Sequence, residues 1–85
     1  MDEKKFILKC RELVKKYAQD HLDKSDKVPD FEVFVVWQCK ILQHNKALLS
    51  TTLFDGMYYE ITYNGDKREF YFDAYKKFEN KAIKA

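Results

Sequence analysis

The chain is short of the residues that punctuate or staple a fold: 85 positions hold two glycines, one proline and two cysteines. So little Gly and Pro excludes a flexible or low-complexity chain. The cysteines, Cys10 and Cys39, show no C-x-x-C spacing, which excludes a disulfide framework or zinc ribbon. Reduced core thiols are expected, with a Cys10–Cys39 disulfide as the alternative. No apolar run approaches the ~20 residues of a membrane-spanning helix. The opening Met1-Asp2-Glu3-Lys4-Lys5 is charged, not a targeting segment, so a cytoplasmic, non-membrane protein is expected. A net charge of +2 is too small for an electrostatic funnel toward DNA or anionic lipid.

Aromatic residues are plentiful: seven Phe, six Tyr and one Trp. A domain this short buries only roughly 60–65% of its unfolded surface, so large side chains must supply its core. From about residue 2 to 22 the apolar spacing is helical, with Phe6, Cys10, Leu13 and Tyr17 on one course and Ile7, Val14, Ala18 and His21 widening it. Residues 23–30 read as a polar linker whose Pro29 ends any helical pattern.

Alternation then takes over, predicting strands at about 31–42, 46–53, 57–63 and 67–72. Phe31, Val33, Val35, Trp37, Cys39 and Ile41 share odd parity, as do Met57, Tyr59, Ile61 and Tyr63. Phe70 and Phe72 are even, an inversion that a two-residue Asn64-Gly65 turn requires. Three-residue loops at 43–45 and 54–56, the latter with Gly56 left-handed, pair Cys39 with Leu49 and Leu49 with Ile61. In this reading Trp37 is core. After Phe72 the period turns helical again, with Ala74, Tyr75, Phe78 and Ala82 on a narrow stripe over about 74–84. The expected architecture is one α+β domain: an N-terminal helix, a four-stranded antiparallel meander and a short C-terminal helix.

The first helix should take the fully apolar sheet face. On the other face these turns group Phe34, Val36, Phe54, Tyr58 and Tyr71, with Phe34 opposite Phe54 and Tyr58 opposite Tyr71. Either the C-terminal helix buries this group as a second core, or the group is a partner surface. Base stacking is disfavoured there, because Lys40, Lys46 and Lys67 are offset by Glu32, Glu60, Glu69 and Asp73. The alternative nucleic-acid surface is the C-terminal helix with Lys76, Lys77, Lys81 and Lys84. A helix after a sheet is similar to the double-stranded-RNA-binding domain, but that domain has three strands where this chain reads as four.

His21 and His44 stand without a second ligand at metal spacing, so no metal or cofactor is expected. Cys39, inward and mid-strand, has no paired base, and Glu60 across from Glu69 reads as two screened surface charges. Catalysis is not expected.

The segments Val35-Val36-Trp37-Gln38-Cys39-Lys40, Asn45-Lys46-Ala47-Leu48-Leu49-Ser50-Thr51-Thr52, Asp55-Gly56-Met57-Tyr58-Tyr59-Glu60, Thr62-Tyr63-Asn64-Gly65-Asp66 and Asp73-Ala74-Tyr75-Lys76-Lys77 resemble a family of small uncharacterised proteins encoded by phages and prophages of Gram-positive bacteria. The similarity is most specific from Val35 to Phe78. It implies an intracellular phage product and carries no catalytic residue with it. The leading expectation is a non-enzymatic module that binds a protein partner, or a second copy, through Phe34, Val36, Phe54, Tyr58 and Tyr71.

Overall fold

A computed structural model describes residues 1–22 and 30–85; the expected linker at 23–30 lies outside the described residues except for Asp30. Helix α1 spans Glu3–His21. Asp2 caps it, its carboxylate accepting the Lys5 amide hydrogen bond at 2.8 Å, and Glu3 lies in the first turn where the helix dipole favours negative charge. Its buried line is Phe6, Cys10, Val14 and Ala18, one residue in four. Three of these are small, so the helix settles close to the sheet, and Ile7, Leu13 and Tyr17 pack along its flanks.

Four antiparallel strands follow as a meander in the order β1-β2-β3-β4: Val33–Ile41, His44–Thr51, Met57–Asn64 and Glu69–Lys76. Ala47, Leu49, Tyr59 and Ile61 meet the helix, with Phe70, Phe72, Met57 and Tyr63 packed around them. Tyr17 reaches across this core, 5.5 Å from the Tyr59 ring and 5.2 Å from Phe72. Asn45 is buried beside it with a carboxamide that has no hydrogen-bond partner among the described residues. Such a group costs about 1–3 kcal/mol.

The C-terminal helix is not there. β4 runs on through Lys76, and residues 77–85 are exposed without regular structure. Asp73, Ala74, Tyr75 and Lys76 instead pair with Glu60, Tyr59, Tyr58 and Met57, which satisfies the whole outer edge of β3. An eleven-residue helix with a narrow stripe is marginal alone, so the ladder wins.

Face parity survives in β2, β3 and β4, but every turn differs in length. Leu49 pairs with Tyr59, and Thr52 to Gly56 form the β2–β3 loop. Gly56 is left-handed as expected, with φ 68°. Asn64 pairs with Glu69 across a four-residue turn, shifting β4 by four positions from the expected register. The Asn64 carboxamide oxygen holds that turn by accepting from the Asp66 and Lys67 amides, and Arg68 takes the left-handed position.

The first strand is where parity breaks. Leu42 and Gln43 form a two-residue turn, with Leu42 at φ 55°. From that turn Ile41, Cys39 and Trp37 pair with His44, Lys46 and Leu48, the residues facing away from α1. A β-bulge between Val35 and Trp37 then resets the phase, so Val35 meets Leu49 and Val33 meets Thr51 on the helix side. Trp37 is therefore 42% exposed and not core. Gln38 and Lys40 take its place on the helix side, where the Lys40 ammonium donates to the Met1 carbonyl.

Phe6→Ala should cost about 3–5 kcal/mol as a core truncation, whereas Trp37→Ala should cost about 1 kcal/mol or less; equal losses in urea melts would contradict the bulge. A Cβ at Gly65 would overlap the Gln43 carbonyl oxygen, whereas one at Gly56 meets nothing closer than the Lys77 carbonyl oxygen at 3.5 Å. Gly65→Ala should thus lose about 1–3 kcal/mol by steric overlap. Gly56→Ala should lose about 1 kcal/mol by torsional strain, and Gly56→Asn, which tolerates positive φ, should recover most of it.

Candidate functional site

The sheet has two faces and α1 covers one. Register maps the other. Phe34, Ser50, Tyr58 and Tyr75 form a first row across it. Trp37, Leu48, Glu60 and Asp73 form a second, with Val36 at the bulge beside Trp37. The third is Cys39, Lys46, Thr62 and Tyr71, and beyond it lie the pairs Ile41–His44 and Asn64–Glu69. No element among the described residues packs on these rows, and the molecule is 18 Å through its thinnest axis. Phe34 is 43% exposed, Val36 45%, Tyr71 41% and Tyr75 52%.

Four of the five residues expected to act together do share this face: Phe34, Val36, Tyr58 and Tyr71. The fifth does not. Phe54 stands at the tip of the β2–β3 loop, fully exposed, and Phe34 lies opposite Ser50 instead. Tyr58 pairs with Tyr75, and Tyr71 pairs with Thr62. Trp37, Ile41, Leu48 and Tyr75 belong to the face and were missed. The first two depend on the bulge, which an apolar run of both parities (Val33 to Trp37) does not announce. Tyr75 was missed because its neighbourhood reads as helical.

Charge divides the face lengthwise. The β1–β2 half is mostly apolar, with Phe34, Val36, Trp37, Ile41 and Leu48. The β3–β4 half carries Glu60, Asp73 and Glu69 among tyrosines. Glu60 faces Asp73, not Glu69 as the shorter turn implied. Lys46 reaches Glu60 at 3.3 Å, and among the described residues Asp73 and Glu69 have no ion-pair partner on the face. The Tyr71 hydroxyl donates to the Glu69 carboxylate at 2.8 Å, and that bond holds the phenol above its usual titration range.

The apolar surface continues round the β1 edge into an open groove of about 560 Å³ beneath α1, lined by Ile7, Leu8, Val35 and Trp37. The Arg11 guanidinium closes one end by donating to the Val33 carbonyl. A second hollow of about 310 Å³ at the C-terminal end of α1 collects Tyr17, His21, Asp55, Tyr59 and Lys76. There His21 is engaged through Nδ1 with the Tyr17 carbonyl at 2.8 Å. Among the described residues no three His, Cys, Asp or Glu side chains converge to hold a metal. No described helix is long and apolar enough to cross a membrane. Lys77, Lys81 and Lys84 lie on the irregular tail and Lys76 ends β4, so no helix arrays them on one side.

The chain belongs to a family of unknown function, DUF6275, which it matches over residues 7–85. No curated protein and no solved structure matches it.

The cysteines separate cleanly. Cys10 is sealed under α1, and burial pushes its thiol from 9.0 up to about 12. Cys39 is exposed beside Lys46 instead of inward, and both thiols are free. Iodoacetamide should label Cys39 in the native protein and Cys10 only after unfolding; early modification of Cys10 would contradict its position. The folded state keeps Cys10 protonated while the unfolded chain ionises near 9, so stability should fall as pH rises from about 9 to 12. Cys10→Ala should flatten that decline.

Proposed function

We propose that this DUF6275 protein is a non-enzymatic binding module, a phage or prophage product, that holds a protein partner on the sheet face opposite α1. The observation that carries this reading is the exposure of Phe34, Val36, Trp37, Tyr71 and Tyr75 together on one regular surface. Single exposed apolar residues are ordinary, but a contiguous group of this size is the usual mark of an interaction site. Tyr and Trp also suit the role, since each supplies a large, stiff contact area with a polar edge. The rigid sheet beneath them means that little conformational entropy is lost on binding. The phage origin rests on the sequence resemblance, and products of this size commonly act by binding host proteins.

The nucleic-acid alternative through Lys76, Lys77, Lys81 and Lys84 has less in its favour, because a phosphate-tracking surface needs its cations on one ordered face.

The test is capture from nuclease-treated lysate of a Gram-positive host, comparing tagged wild type with a Phe34→Ala/Tyr71→Ala variant whose circular dichroism matches it. Both side chains are about two-fifths exposed, so the variant should fold. A host protein retained by the wild type and lost by the variant is the expected result. Equal retention by both would place the partner elsewhere on the molecule and sink this reading.

A further inference from the structure

The two halves of the open face narrow down what can occupy it. An apolar strip along β1–β2 adjoins a strip along β3–β4 whose Asp73 and Glu69 have no ion-pair partner among the described residues. Counting Lys46, Glu60, Glu69 and Asp73, the face carries a net −2 on a chain of net +2, which leaves +4 for everything else. A second copy fits poorly. Stacking two such faces about a two-fold axis along the strands sets the apolar strip of each on the acidic strip of the other. An axis across the strands sets apolar strip on apolar strip but also acidic strip on acidic strip. With the faces fully overlapped, both arrangements bury carboxylates against an apolar or like-charged surface.

We propose that the occupant is a basic amphipathic helix of a partner protein, its apolar stripe on Phe34, Val36, Trp37 and Leu48 and its lysines or arginines over Asp73 and Glu69. This rests on the binding-module reading above and adds the chemistry of the partner. The size is right: strands of eight or nine residues make a face about 27 Å long, and a helix of about 18 residues has that length. α1, with 19 residues, spans the opposite face in the same way. A partner helix would complete a three-layer α/β/α sandwich in which both sheet faces are covered. Helix-in-groove recognition of this kind takes its affinity from the apolar anchors and its selectivity from the flanking charges.

Trp37 provides the readout, because it is the one tryptophan and it stands on the apolar strip. Two synthetic 18-residue helical peptides with the same leucine stripe, one flanked by lysines and one by glutamates, are titrated into the full chain. Trp37 emission and amide chemical shifts are followed. The lysine peptide should shift Trp37 emission to the blue, perturb residues of the open face and bind about tenfold tighter than the glutamate peptide. The preference should shrink with added salt and in a Glu69→Gln/Asp73→Asn variant. Non-specific attraction works against this result, since the whole chain is positive. Equal binding of both peptides on the face overturns the basic-partner inference and leaves the binding-module reading standing. Binding of neither peptide, or shifts confined to α1 or residues 77–85, also overturns it, and the capture experiment then decides the broader reading separately.

Discussion

The seam between Phe6, Cys10, Val14 and Ala18 of α1 and Ala47, Leu49, Tyr59 and Ile61 of the sheet organises this domain. It is a contact of one helix with one side of one sheet. Small side chains on the helix, with Ala47 on the sheet, leave room that the aromatic rings of Tyr17, Tyr59 and Phe72 close. A single helix has only one stripe to give. The second sheet face is therefore left uncovered among the described residues by the same contact that holds the molecule together, and Phe34, Val36, Trp37, Tyr71 and Tyr75 on that face stay about two-fifths to one-half exposed.

That division also sorts the charges. α1 carries exposed Lys4, Lys5, Lys15 and Lys16 and half-buried Lys9, offset in part by Glu3, Glu12 and Asp20. The open sheet face carries the carboxylates of Glu60, Glu69 and Asp73. A composition that looks nearly neutral is thus polarised through its thickness. A partner approaching the sheet side meets tyrosines and carboxylates, and one approaching the helix side meets ammonium groups. The distinction is invisible in the net charge and follows from which residues the ladder turns outward.

Much of the fold was legible in the sequence because period reports burial. The helix emerged from Phe6, Cys10, Val14 and Ala18, and β2, β3 and β4 kept the expected faces although all three turns were misjudged. Parity tolerates such errors: a shift of two or four residues in register leaves every side chain on its own face. The open face was legible to the same extent, through Phe34, Tyr58 and Tyr71. Phe54 was misplaced because its pairing with Phe34 depended on loop length, which parity does not constrain. The C-terminal helix was misread because Tyr75, Phe78 and Ala82 satisfy a helical spacing, while the alternative use of the segment, pairing the outer edge of β3, is a long-range gain.

By itself the sequence determined the helix, the meander and the inner core, since these rest on local periodicity and on the apolar area each face can bury. Only the tertiary structure decided the bulge at Val36, the outward turn of Trp37, Cys39 and Ile41, and the extension of β4 to Lys76. The reason is common to all three. Each depends on matching hydrogen bonds between strands whose partners lie many residues away, and an apolar run of mixed parity gives no local preference between the competing registers.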